Sequence, residues 1–343
     1  MFGYRVHSWG TEPVWEEIDD PVVGDDEVLI EVEACSVGLT VLNCIGGDLD
    51  DDPTLLPRVP GHEAVGRVIS AGPGADPELI GRRVVAYFYL TCGKCAACRE
   101  GKDPRCSELG GWVGVHRDGG YAPFMTLPSR NAIPIPDSLD PISATVVPDA
   151  VATPVHVAAR SQIGPDDRVV VFGAGGGVGI HMVQVARHRG ASVAGFDVVD
   201  EKLAELDRLG VVPVRSDDLA ELDPTAVFKD GAPTVVIDLL GTTASARWAI
   251  DGLAMGGRMV ALTTFRDRPV PFESRELVFR EIMVIGSRYA NRAELSEAAD
   301  LVATGAVEPI IGAVGGPEEV LTMHEQLRAG TLLGRGALDW NVS

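Results

Sequence analysis

The chain has 343 residues, of which 45% are hydrophobic and 23% charged, and it carries a net charge of -21. Charge of that sign repels nucleic acid and anionic membrane, so neither is an expected partner. No apolar run approaches the roughly 20 residues of a membrane span, and the polar start "MFGYRVHSWGTEPVWEE" has no signal-peptide core; a cytoplasmic protein of about two domains is expected.

Residues 1 to 150 read as β-rich. "DEVLIEVEACSV" and "GRRVVAYFYL" are strand-like, with Gly and Pro turn signals between short apolar runs. Near residue 150 the pattern changes to strand, glycine loop, helix, strand, helix. Val169 to Phe172 form a continuous apolar run, the pattern of a parallel strand covered on both faces. From Ile180, Met182, Val183 and Ala186 recur at helical spacing, and Gly190 is placed to close that helix. "SVAGF", "TVVIDLL", "GRMVALT" and "EIMVIGS" are the next strands, so the fold class is α/β with a doubly wound parallel sheet. "NRAELSEAADLVATG" is an amphipathic helix with Ala293, Leu295, Ala298, Ala299, Leu301 and Val302 on one side. "LGRGALDW" closes the chain as a short strand.

Two motifs carry chemistry by themselves. "GAGGGVG" follows a strand and opens a helix, with Gly173, Gly176 and Gly179 at equal spacing and Gly175, Gly177 and Val178 between them. Glycines there let the backbone turn tightly and approach a pyrophosphate, while the helix N-terminus offers unpaired N–H groups. Asp197 ends the next strand, where a carboxylate bonds the ribose hydroxyls of NAD and repels a 2′-phosphate, so NAD(H) is favoured over NADP(H). The alternative for Asp197 is a turn aspartate or a helix N-cap like Asp200. "CGKCAACREGKDPRC" sets Cys92, Cys95, Cys98 and Cys106 within fifteen residues. Four thiolates fill a tetrahedral shell, which makes this a structural zinc with no open position; free thiols or a redox pair are the alternative.

These features, with "GHEAVGRV", "PDAVATPVHVAA" and "LRAGTLLGRG", resemble the zinc-containing medium-chain alcohol dehydrogenases over nearly the whole chain. The resemblance implies a GroES-like catalytic domain at 1–149 with its structural-zinc lobe at about 91–107. It implies a Rossmann NAD-binding domain at 150–285 and a return to the catalytic domain at 286–343. It places Arg335 against the coenzyme phosphates. It implies a homodimer or homotetramer joined near "EIMVIGS".

The family's catalytic zinc has three protein ligands. The second falls on His62 and the third on Asp149. The first, a cysteine in the family, falls on Gly38 in "SVGLTV", which has no side chain to coordinate anything. Cys35 lies too early and Cys44 too late. Leu39 and Val41 replace a histidine and an aspartate of the family, and Thr40 keeps the hydroxyl that passes protons from the alcohol. Its other reading is the N-cap of the helix that follows. His62, Glu63 and Asp149 are a remnant set of metal ligands, and a zinc rebuilt with Cys35, Cys44 or Glu63 stays open.

Without the metal a Lewis acid is lost, worth several kcal/mol of transition-state stabilisation. His62 then exchanges the proton, Asp149 or Glu63 orients it, and Thr40 bonds the substrate oxygen. The expected activity is NAD(H)-dependent interconversion of an alcohol and an aldehyde or ketone without a catalytic zinc. The alternatives are a zinc-independent reductase of an activated C=C bond in an enone or quinone, and a catalytically inactive NAD(H)-binding protein.

Overall fold

A computed structural model describes residues 1–263, 268–270 and 272–342. The chain divides into two compact units. The first comprises residues 1–152, 290–305 and 311–343, and the second residues 153–289 and 306–310. Against the expected bounds of 1–149, 150–285 and 286–343, residues 150–152 lie in the first unit, and 286–289 and the segment 306–310 lie in the second. That segment is bound to the second unit: Glu308 exchanges backbone hydrogen bonds with the Gln184 amide, and the Ile310 N–H donates to His181 Nε2.

The first unit is built on one long strand, Glu27–Val37. Its alternating inward residues Val28, Ile30, Val32 and Ala34 are buried, as a half-covered strand requires. Arg335–Asp339 pairs with it antiparallel on one side and Ala64–Ala71 on the other. Gly336 faces Val37, and Cys35 faces Ala64. This register gathers Arg335, Gly38 and the His62–Glu63 pair at one end of three neighbouring strands. The sheet continues through Arg83–Ala86 to Ala132–Pro134, and Ile311–Gly315 lies outside Arg335–Asp339. Phe2–Arg5 and Val14–Glu17 form a separate hairpin.

The strand expected over "GRRVVAYFYL" is shorter than its composition suggests, because only Arg83–Ala86 pairs as a strand. Beyond it the buried Asn131 amide donates to the carbonyls of Tyr87 and Tyr89 and replaces a ladder partner. Tyr87 and Tyr121 are core residues: the Tyr87 hydroxyl donates to the Ala290 carbonyl, and Tyr121 bonds His324.

The second unit holds a six-stranded parallel sheet in the order Val212–Arg215, Ser192–Asp197, Arg168–Phe172, Val235–Asp238, Arg258–Ala261, Met283–Gly286. This is the doubly wound arrangement expected from the alternating pattern. Val169 to Phe172 are fully buried, and Phe172, Phe196 and Trp248 pack edge to face with centroids 5.2 to 5.3 Å apart. The helix Gly179–His188 buries Met182, Val183 and Ala186, and Gly190 follows it in a left-handed conformation.

Three smaller expectations change. Ala293 is exposed, because it sits in the open first turn of the helix Arg292–Ala303, which buries Leu295, Ala298, Ala299, Leu301 and Val302. Asp200 opens the helix Asp200–Arg208 from inside, with Val199 at the N-cap. The stretch Pro141–Arg160 is, by length and composition, apolar enough to cross a membrane, contrary to the reading of the sequence; most of it is buried as a core helix.

Candidate active site and coenzyme loop

The reacting end is built by the ends of those three strands. Gly61 has a positive φ of 96°, and a Cβ there would approach Tyr121 to 2.6 Å, so the turn before His62 requires glycine. His62 and Glu63 follow it and enter the strand Ala64–Ala71. Asp149 comes from a π-helical turn, Val147–Val151, that leads into the helix Ala152–Arg160. Arg335 opens its own strand, directly across from Gly38.

The four side chains converge. Their residues range from 0% to 6% exposed. One ligand atom from each of His62, Glu63 and Asp149 lies within 4.8 Å of the others. His62 Nε2 stands 3.7 Å from Asp149 Oδ2 and 3.8 Å from Glu63 Oε2, beyond hydrogen-bond reach of either. Neither ring nitrogen of His62 has a hydrogen-bond partner among the described residues, which is rare for a buried imidazole. Phe88 packs edge-on against the ring at 4.7 Å. Arg335 Nη2 lies 3.2 Å from both Asp149 Oδ2 and Glu63 Oε1, and Glu63 Oε1 also accepts from the Ala150 N–H. Burial raises the Glu63 carboxyl, while the Arg335 guanidinium pulls it back down.

Arg335 is therefore not placed as expected. The guanidinium is turned into the carboxylate cluster instead of standing free for a coenzyme phosphate, because two desolvated anions hold it there. At Gly38 a Cβ would lie 1.4 Å from Arg335 Nη1 and 2.5 Å from its Cζ. The missing side chain and the guanidinium take the same space.

Neither spare cysteine joins the cluster. Both are buried; burial pushes Cys44 up to about 12 and Cys35 well above its ordinary range, so both stay protonated. Thr40 is half-buried in the first turn of the helix Leu39–Gly46, whose N-cap is Gly38, so it is not the cap itself.

The four-cysteine lobe is a separate metal site. Its sulfurs all lie within 4.8 Å of one another, with Cys92–Cys98 and Cys95–Cys106 each at 4.0 Å. A zinc held by four thiolates needs sulfurs about 3.8 Å apart, which this cage meets. The N–H groups of Cys92 and Cys95 already point at the sulfurs of Cys106 and Cys92. Hydrogen bonds from the backbone at Cys98 and Ser107 hold Cys95 down to about 6. Burial and the neighbouring thiols push Cys98 up to about 12. A zinc ion held by the four thiols would supply the positive charge that thiolates so close together need.

In the second unit the glycine loop is shaped by close approach. Gly173 has φ of 69°, and a Cβ on Gly179 would stand 2.2 Å from the Gly173 carbonyl. The buried Asp197 carboxylate accepts from the N–H groups of Gly175, Val198 and Val199, which fixes it beside the loop. Lys202, which the sequence did not single out, packs its stem over Gly175, where a Cβ would meet it at 2.4 Å. Arg215 is register-paired with Asp197 and bound to Asp200 and Asp217.

Residues 24–137 match the family described as alcohol dehydrogenase GroES-like domain, and residues 177–304 match zinc-binding dehydrogenase. An alcohol dehydrogenase of Geobacillus stearothermophilus is 31% identical over 325 residues, covering 93% of each chain. The crystal structure of the Aeropyrum pernix alcohol dehydrogenase superposes with a TM-score of 0.88 at 26% identity, covering 99% of this chain and 100% of that one. Acetophenone reductase from Geotrichum candidum, solved in complex with NAD, gives 0.85 at 26% identity over 98% and 96%.

Two outcomes test the sites. Cys106→Ser is expected to lose the lobe's zinc, about one per chain, and to lower Tm, as metal analysis and a thermal melt would record. Asp197→Asn is expected to raise KM for NADH about tenfold and to narrow the preference for NADH over NADPH, since it removes a charged hydrogen-bond acceptor and its repulsion of a 2′-phosphate.

Proposed function

The chain belongs to the zinc-type medium-chain alcohol dehydrogenase family, and on that premise we propose that it is an NAD(H)-dependent oxidoreductase interconverting an alcohol and an aldehyde or ketone without a catalytic zinc. The observation that carries the reading is a coenzyme loop complete in its glycines and acidic partner, alongside a reacting end whose metal position is compromised. A catalytic zinc does not fit the residues present. Its first ligand position is a glycine, and a cation already bonds two of the three remaining donors.

NAD(H) held by the glycine loop and Asp197 would supply the hydride, and in the reducing direction the carbonyl oxygen must gain a proton. His62 is the group that donates it: neither ring nitrogen has a hydrogen-bond partner among the described residues, which leaves the ring available to substrate. Asp149 and Glu63, each under 4 Å from Nε2, orient the ring. The Thr40 hydroxyl bonds the substrate oxygen and cannot act as the acid alone. An unactivated alcohol has no metal to lower its pKa here, so carbonyl reduction is the easier direction. A second reading, reduction of an activated C=C bond, is favoured by the glycine at position 38, which removes a metal ligand and with it the Lewis acid that an unactivated alcohol needs.

The assembly is inferred to be a homo-oligomer. Met283–Gly286 is the edge of the parallel sheet among the described residues. Val278 and Phe279, on the helix just before it, are 70% and 66% exposed. An apolar edge of this kind calls for a second copy.

Incubation with NADH and a panel of ketones, aldehydes and enones is the direct test. Carbonyl turnover supports the first reading, enone turnover alone supports the second, and no turnover on any of them defeats both. His62→Gln is expected to lower kcat by about 10²–10⁴-fold with NADH binding unchanged. For the assembly, Phe279→Glu with Val284→Lys is expected to shift light scattering towards the monomer, and an unchanged mass would place the interface elsewhere.

A further inference from the structure

We propose that Arg335 is the resident cation of the reacting end: its guanidinium takes the place of a metal ion there and keeps metal out. The inference deepens the zinc-free reading above and rests on it only for the chemistry, not for the geometry.

The cluster of His62, Glu63 and Asp149 has the composition of a divalent-metal site, with one imidazole and two carboxylates whose donor atoms lie within 4.8 Å. All three are buried, and two carboxylates at such depth demand a compensating positive charge. Arg335 supplies it. It is 2% exposed, and a single nitrogen, Nη2, stands 3.2 Å from an oxygen of each carboxylate. A zinc ion binds carboxylate oxygen at about 2.0–2.2 Å. An ion bridging the same two oxygens would have to crowd a charged nitrogen that already contacts both.

Residue 38 closes the argument. The ideal Cβ position there is 1.4 Å from Nη1, so any side chain at 38 displaces the guanidinium. Gly38 is extended, with φ of -134°, so backbone conformation does not call for glycine. What requires glycine is the volume of the arginine opposite. The two residues face each other across adjacent strands, the strand Arg335–Asp339 beginning where Glu27–Val37 ends. Gly38 and Arg335 therefore form one unit: a missing ligand and the cation that fills its place.

A guanidinium holds its charge at every working pH, cannot be removed by a chelator, and is no proton donor to substrate. Arg335 is on this view a positioning residue. It fixes Asp149 and Glu63 around the His62 ring, and the proton transfer remains with His62.

The test counts metal in the full-length protein. After dialysis against excess zinc and then metal-free buffer, the wild type is expected to hold only the lobe's zinc. Arg335→Ala is expected to gain a second equivalent, and Arg335→Ala with Asp149→Ala to lose it again. Gly38→Cys with Arg335→Ala is expected to bind cobalt with a sulfur-to-metal charge-transfer band absent from Arg335→Ala. Gly38→Ala alone is expected to lower Tm, and Arg335→Ala in the same chain to relieve part of that loss. A wild type holding a second zinc, a folded Arg335→Ala with the wild-type count, or a Gly38→Ala as stable as wild type overturns the proposal. The wild-type count and the Gly38→Ala melt decide even if the arginine variants fail to fold. None of these readouts needs turnover, so a protein inert to every substrate but behaving this way would defeat the proposed function alone.

Discussion

The contact of the Arg335 guanidinium with Glu63 and Asp149 organises the rest of the first unit's site. Two carboxylates removed from water are costly unless a positive charge stands beside them, and stripping one partner from a buried ion pair costs about 3–5 kcal/mol. The arginine can reach both only because nothing projects from residue 38. Every other feature of the site answers to this contact. Glu63 is held by the guanidinium and by the Ala150 N–H, Asp149 is presented by a π-helical turn, and His62 is left with both nitrogens unbonded.

The sheet makes this contact possible by register. Gly336 faces Val37 and Cys35 faces Ala64, so three segments far apart in the chain deliver their chemistry at one edge. A slip of one residue in either pairing would turn the reacting side chains to the opposite face. The second unit uses a different device. There a parallel sheet ends in a loop too tight for a Cβ at Gly179, and the Asp197 carboxylate is tied to that loop by the Gly175 N–H. The second unit's loop thus rests on backbone geometry, and the first unit's cluster rests on a balance of buried charges.

The four-cysteine lobe works as a staple. Its thiols are close enough to need a shared cation, and they form a group separate from His62, Glu63 and Asp149. A closed shell of sulfur leaves no position for substrate. The four thiols and the His62 cluster are thus two distinct sets of metal-ligating groups, and an arginine reaches into only the second.

Much of this was legible in the order of residues alone. The glycine loop, Asp197, the four thiols and the parallel strands depend on neighbours close in sequence, where spacing fixes geometry. The bare position at Gly38 was legible, and so was the grouping of His62, Glu63 and Asp149. The fate of Arg335 was not: a motif near the C-terminus suggests a phosphate contact, and only the pairing of its strand with Glu27–Val37 shows which charges it meets. The end of the strand at Ala86 likewise depends on the Asn131 amide, and the allegiance of residues 306–310 on Gln184 and His181. Sequence determined which chemical groups the protein owns and the local turns that carry them. Tertiary structure decided which charges share a buried space, because electrostatic compensation acts across distances in the chain that no local pattern records.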